Sequence, residues 1–119
     1  MPIHHHVLGA PPVSTERSFV PIAASALAGS AFDNVVVAGA TVPLHRHGVE
    51  EIIVCLAGVA ECRFEGGPPE RYQAGSVLVI PPGVAHTIHN VGDAPLHQLS
   101  FFAGNGPGTE WIEPAGSVA

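Results

Sequence analysis

Glycine and proline constrain this chain most: 14 and 12 of them are spread through 119 residues, with short apolar runs between. Glycine weakens a helix and proline interrupts it, and helix formers are scarce. Short strands joined by turns fit this punctuation, so an all-β sandwich or barrel is expected. Apolar residues make up 46% of the chain, enough for one core. The length leaves little room for a second domain.

Residues 1–18, with Pro11-Pro12, read as an N-terminal arm, and residues 19–119 as one barrel domain. Phe19-Val20-Pro21-Ile22 reads as an edge strand, where proline is tolerated. The small residues Ser25 to Ser30 suggest one helical turn. Val35-Val36-Val37 opens the first strong strand, and Thr41 to His47 follows after Gly39. Glu51 to Leu56 and Val59 to Phe64 hinge at Ala57-Gly58. Glu65-Gly66-Gly67-Pro68-Pro69 is a turn. Ser76 to Ile80 and His86 to Val91 flank Pro81-Pro82-Gly83. Pro95 to Phe102 is the last strand, before a Gly/Pro-rich tail. No repeat of solenoid period is present.

Charge narrows the function. Lys+Arg total 4 against Asp+Glu 10, for a formal net charge of −6. The four cations are Arg17, Arg46, Arg63 and Arg71, scattered and without a lysine, so neither nucleic acid nor an anionic membrane is an expected partner. Schiff-base chemistry has no lysine to use. Cys55 and Cys62 are too few for a disulfide scaffold and read as reduced thiols. The opening residues show no secretory pattern and no apolar run reaches roughly 18 residues, so the cytoplasm is the default location. His4, His5 and His6 lack spaced partners and read as surface residues or an added tag.

His45-Arg46-His47 puts two imidazoles at i and i+2, on one face of a strand. Glu51 lies four residues on, after Gly48 lets the chain turn. His86 opens a later strand just past another tight turn. Three imidazoles and one carboxylate meeting inside a barrel make a mixed N/O site for Fe, Mn, Ni, Cu or Zn rather than Mg or Ca. One such ion also resolves the cost of burying Glu51 among apolar neighbours.

The chain here resembles the cupin superfamily. Gly39-x5-His45-x-His47-x3-Glu51-x6-Gly58 is similar to the first cupin motif at every defined position. Gly75-x5-Pro81-x-Gly83-x2-His86-x3-Asn90 is similar to the second, and the short gap between them resembles compact bacterial single-domain cupins. The resemblance implies a jelly-roll β-barrel of six or more strands with a metal at its centre. Gly48, Gly58 and Gly83 then fall at tight turns, and Pro81 ends a strand before the turn that delivers His86. Asn90 is expected to bond backbone rather than metal.

Parity extends the reading to a substrate pocket. With Glu51 inward, Ile53 and Cys55 point inward too, with Ala60, Cys62 and Phe64 on the next strand and Ile88 beside His86. Gln98, Ser100 and Phe102 are preferred over Leu99 and Phe101 on the last strand, because polar groups at a mouth orient a substrate. Arg46, Glu61 and Arg63 face out, leaving no cation inside on these strands and weighing against a strongly anionic substrate. His89 and His97 read as structural, with His97 a candidate for the mouth, and Tyr72 and Trp111 are candidates to close it. Val42, Leu44, Ile52, Val54 and Leu56 form an apolar outer face, from which a homodimer is expected.

Fold alone does not settle activity. The favoured expectation is a metal-dependent enzyme on a small, uncharged or weakly polar substrate, leaning to a dioxygenase, with Glu51 a possible base. The alternatives are a small-ligand sensing module and a metal-assisted isomerase or lyase on a sugar-derived substrate.

Overall fold

In the computed structural model, residues 7–8, 17–25, 29–104 and 106–113 are described. Their regular structure is entirely β. The strands are β1 (Arg17–Ser25), β2 (Gly29–Val36), β3 (Thr41–His47), β4 (Glu51–Ala57) and β5 (Val59–Phe64). Then come β6 (Glu70–Gln73), β7 (Val77–Ile80), β8 (His86–Asn90), β9 (Leu96–Phe102) and β10 (Thr109–Trp111). Two five-stranded sheets form, ordered β1-β2-β9-β4-β7 and β10-β3-β8-β5-β6, and every pairing is antiparallel. Here they are the first and second sheets. They are the two faces of a jelly roll.

Period-two alternation decides which side chains enter the barrel. Along β9, Leu96, Gln98, Ser100 and Phe102 are buried while the residues between them are not. Along β8 the buried residues are His86, Ile88 and Asn90. Ile53, Cys55, Ala60, Cys62, Tyr72, Ile80, Ile88 and Leu96 gather into the apolar core. Asn90 serves the backbone, as expected: its Nδ2 donates to the Val36 and Ala94 carbonyls, each at 2.9 Å.

Several local expectations change. The edge strand at Phe19 is present but longer, with its register slipping between Pro21 and Ala23. The helical turn over Ser25–Ser30 gives way to a hairpin: Ser25 ends β1, and Gly29 and Ser30 open β2, with residues 26–28 outside the described set. Val35 and Val36 therefore close a strand rather than open one. Strands β6 and β10 were not expected.

Val42 also turns the other way. Val42 pairs with Ile88 and His45 with His86, so Pro43 and Leu44 together oppose Thr87. That β-bulge shifts the parity by one and packs Val42 against the core with the ligand histidines. Moreover, Leu44 lies on the second sheet and Ile52, Val54 and Leu56 on the first, because the chain crosses between sheets at Gly48–Glu50. The five residues do not share one face. The apolar strip that stays exposed is on the first sheet, where Phe101, Ile52 and Val79 are neighbours across three strands.

Gly58 joins β4 to β5 with a φ of +96°, and a Cβ there would lie 2.9 Å from both Leu96 Cα and the Pro95 carbonyl oxygen. An L side chain meets backbone that cannot step aside. Gly58→Ala is expected to lower unfolding free energy by about 2 kcal/mol or more, read from urea melts of metal-free protein. A loss below about 0.5 kcal/mol, the range of ordinary surface changes, would mean that the turn relaxes freely.

Candidate metal centre

The bulge in β3 ends just before His45, so His45 and His47 share the inward face of the second sheet. His86 opens β8 on the same sheet, directly across from His45. It is delivered by the Pro81–Ala85 turn, in which the Gly83 N–H donates to the His47 carbonyl at 2.9 Å. Glu51 opens β4 on the first sheet. The barrel thus closes three imidazoles of one sheet onto a carboxylate of the other.

Each imidazole is oriented from behind. Nδ1–H of His45 donates to the Pro43 carbonyl at 2.7 Å, and Nδ1–H of His86 donates to the Val84 carbonyl at 2.9 Å. Nδ1 of His47 meets Thr109 Oγ1 at 3.1 Å. These contacts leave the Nε2 lone pairs for the interior, the arrangement that metal-bound histidines adopt.

All four side chains are buried, and one donor atom from each lies within 4.8 Å of the others. Donors about 2.1 Å from a shared ion stand roughly 3 to 4.2 Å apart, so a slight contraction closes the site. Glu51 Oε1 lies 3.3 Å from both His47 Nε2 and His86 Nε2. Those are ion-pair distances without hydrogen-bond alignment, and Glu51 Oε1 and His86 Nε2 are buried with no hydrogen-bond partner. Buried polar atoms are seldom left so. Lone pairs aimed at a common point are what a cation satisfies, and the residues fit a divalent transition metal.

Burial raises the Glu51 carboxyl, but the facing His47 and His86 outweigh it and hold the pKa at about 2. His45 is lowered to about 4, chiefly by burial and then by repulsion from His86. Both groups are held in the ligating form near neutral pH. Burial pushes Cys62 up to about 12 and raises Cys55, and both thiols are free, buried and held protonated at neutral pH. Burial likewise raises the Tyr72 phenol, which stays protonated and donates to Gln98 Oε1 at 2.7 Å.

A cavity of about 140 Å³ opens over the four donors. Of the residues read from sequence as substrate-facing, Ile88 and Gln98 line it. Ile53, Cys55, Ser100 and Phe102 are buried but do not line it, and Phe102 lies edge-on to His47 at 4.8 Å. Phe64 lines a different cleft, near β7. Tyr72 is interior rather than at the mouth. Trp111 is at the mouth, its ring 4.9 Å from His45. His97 points away from the cavity and pairs with Asp33 at 2.6 Å.

Sequence reasoning missed several wall residues: Arg17, Ser18 and Phe19 of β1, Asn34 of β2, and Thr109 of β10. The expectation of no inward cation concerned the strands carrying Arg46, Glu61 and Arg63; Arg17 of β1 lines the cavity, with its guanidinium carbon 5.7 Å from the Trp111 ring centre.

Residues 34–102 match a family model described as the cupin domain. A dimethylsulfoniopropionate lyase from Ruegeria pomeroyi is 38% identical over 68 residues, 57% of this chain and 33% of that protein. The chain spans about a third of that curated relative's length. The lyase crystal structure superposes with a TM-score of 0.76 at 28% identity, covering 92% of this chain and 58% of that one. Oxalate decarboxylase from Bacillus subtilis superposes at 0.68 with 25% identity, over 72% of this chain and 24% of that one. A double-stranded β-helix protein from Klebsiella pneumoniae matches at 0.76 with 20% identity, over 86% and 89% of the two chains, a likeness of fold alone.

The pKa shifts set an acid limit for the metal-free protein. His45 has a folded pKa near 4 against an ordinary 6.5, so its stabilising contribution is complete above 6.5 and disappears as pH falls to 4. By linkage that limb is worth about 3 kcal/mol. Glu51 adds a second limb, present above 4.5 and lost as pH falls towards 2. Urea melts between pH 7 and 4 should show the first limb, and His45→Gln should flatten it. An identical slope in the variant would refute the assignment.

Proposed function

The chain belongs to the cupin family, and from that premise we propose a metal-dependent enzyme that breaks a bond in a small carboxylate without adding oxygen. The observation that carries this reading is the meeting of four buried donors at one point, two of them with no other partner. His45, His47, Glu51 and His86 would hold one divalent ion of the Fe, Mn, Ni, Cu or Zn group. Such an ion supplies Lewis-acid stabilisation of negative charge that develops on the substrate.

Phe19 and Trp111 give the entrance apolar sides that limit water. Two relatives, a dimethylsulfoniopropionate lyase and an oxalate decarboxylase, are named for breaking a small carboxylate. That support moves the reading from a dioxygenase to a lyase. Glu51 is assigned to ligation, because a carboxylate with a pKa near 2 is a weak base at neutral pH.

Protein purified without chelator or nickel resin should carry close to one transition ion per chain, and His86→Ala should remove most of it. Equal metal content in the variant would overturn the ligand set. Turnover of a panel of small carboxylates should proceed anaerobically. Oxygen consumed in step with product would restore the dioxygenase reading, and full metal occupancy without any turnover would favour a sensing module.

We also infer a homodimer, joined through the first sheet. Val77 and Val79 of edge strand β7 are 60% and 57% exposed and continue the Ile52 and Phe101 strip. The strip carries no charge of its own, so two copies of this acidic chain can meet there without like charges in contact. Sedimentation at micromolar concentration should give a dimer, and Val79→Arg a monomer. A wild-type monomer would remove the inference.

A further inference from the structure

One polar atom on the cavity wall, away from the donor ring, also lacks a partner. Asn34 stands in β2, with Phe19 of β1 and Gln98 of β9 as its register neighbours. It lines the cavity and is 5% exposed. Its Nδ2 donates to Ser100 Oγ at 2.6 Å, which fixes the amide plane and leaves Oδ1 buried without a donor. The fold does not require an amide here, since Phe32 and Val36, two residues either side on the same face, are apolar. A buried acceptor kept unsatisfied in the protein alone is a net cost to folding.

The neighbouring groups give this wall its character. Gln98 has Oε1 occupied by the Tyr72 hydroxyl, so its remaining polar end is an NH₂ donor. The first sheet thus sets an acceptor and a donor opposite the sheet that carries the three histidines.

We propose that Asn34 is a specificity-determining residue: its Oδ1 accepts a hydrogen bond from a hydroxyl or amino group on the substrate, so the site selects small hydroxy or amino acids. The carboxylate end of that substrate rests on the function proposed above; the donor end rests on Asn34. The sulfonium end of dimethylsulfoniopropionate has no O–H or N–H to offer, and that substrate would leave Oδ1 as bare as the empty cavity does. A site built to pair a substrate hydroxyl discriminates against the analogue lacking it, because the protein group then stays buried and unpaired.

The test is calorimetric titration of the metal-loaded protein with propionate, 2-hydroxypropionate and 3-hydroxypropionate. Wild-type protein should bind one of the hydroxy acids about tenfold more tightly than propionate. Asn34→Leu should lose that preference while metal content stays unchanged. Asn34→Asp keeps an acceptor oxygen of the same shape and should retain the preference, which covers the case in which the leucine variant fails to fold. Preference for a hydroxy acid that survives in folded Asn34→Leu assigns it to the metal and overturns the role of Asn34. So does the absence of any preference in metal-loaded wild-type protein. Failure of wild-type protein to take up metal at all would instead sink the functional reading on which the carboxylate end depends.

Discussion

A carboxylate from one sheet is held against three imidazoles from the other, and the rest of the barrel is arranged around that meeting. Burying Glu51 as an anion is costly unless cations or strong donors face it. The protein sets the Nε2 edges of His47 and His86 3.3 Å from Glu51 Oε1, misaligned for hydrogen bonds. His45, pushed by burial towards its neutral form, adds a lone pair rather than a charge. The cluster is therefore incomplete as a set of protein groups, and a divalent ion satisfies all of its members together.

What orients these four groups is mostly backbone. Carbonyls of Pro43 and Val84 take the Nδ1 protons of His45 and His86, and each carbonyl belongs to a residue two positions earlier in the chain. The bulge after Val42 and the turn after Pro81 thus fix both the placement and the tautomer of the ligands. Spacing in these segments is as much a part of the site as the histidines themselves, since one inserted residue would reverse the inward face.

The ligands were legible in the sequence because they depend on short-range rules. Alternation along a strand places His45 with His47, and glycine and proline mark the turns that bring in Glu51 and His86. Val42 was misplaced because a bulge depends on how β3 pairs with β8, and single-strand alternation carries no sign of it. Arg17 was out of reach for a similar reason, and Trp111 could be named as a candidate for the mouth but not placed there. Strand β10 is three residues long and owes its position to pairing with His45–His47, more than sixty residues earlier in the chain. Asn34 was nearer to hand: it alternates with Phe32 and Val36, and a strand begun at Gly29 instead of Val35 would have turned it inward.

The two sheets divide the labour of the site. The second sheet contributes the three histidines and, through Thr109, the contact behind His47, so it carries three of the four donors that could hold an ion. The first sheet contributes one ligand, Glu51, together with Arg17, Asn34 and Gln98 on the cavity wall. On the reading proposed above, substitutions at Asn34 or Gln98 would change what the cavity recognises without touching a metal-donor residue or its orienting hydrogen bond. Specificity could then change while the four-donor cluster stays as it is.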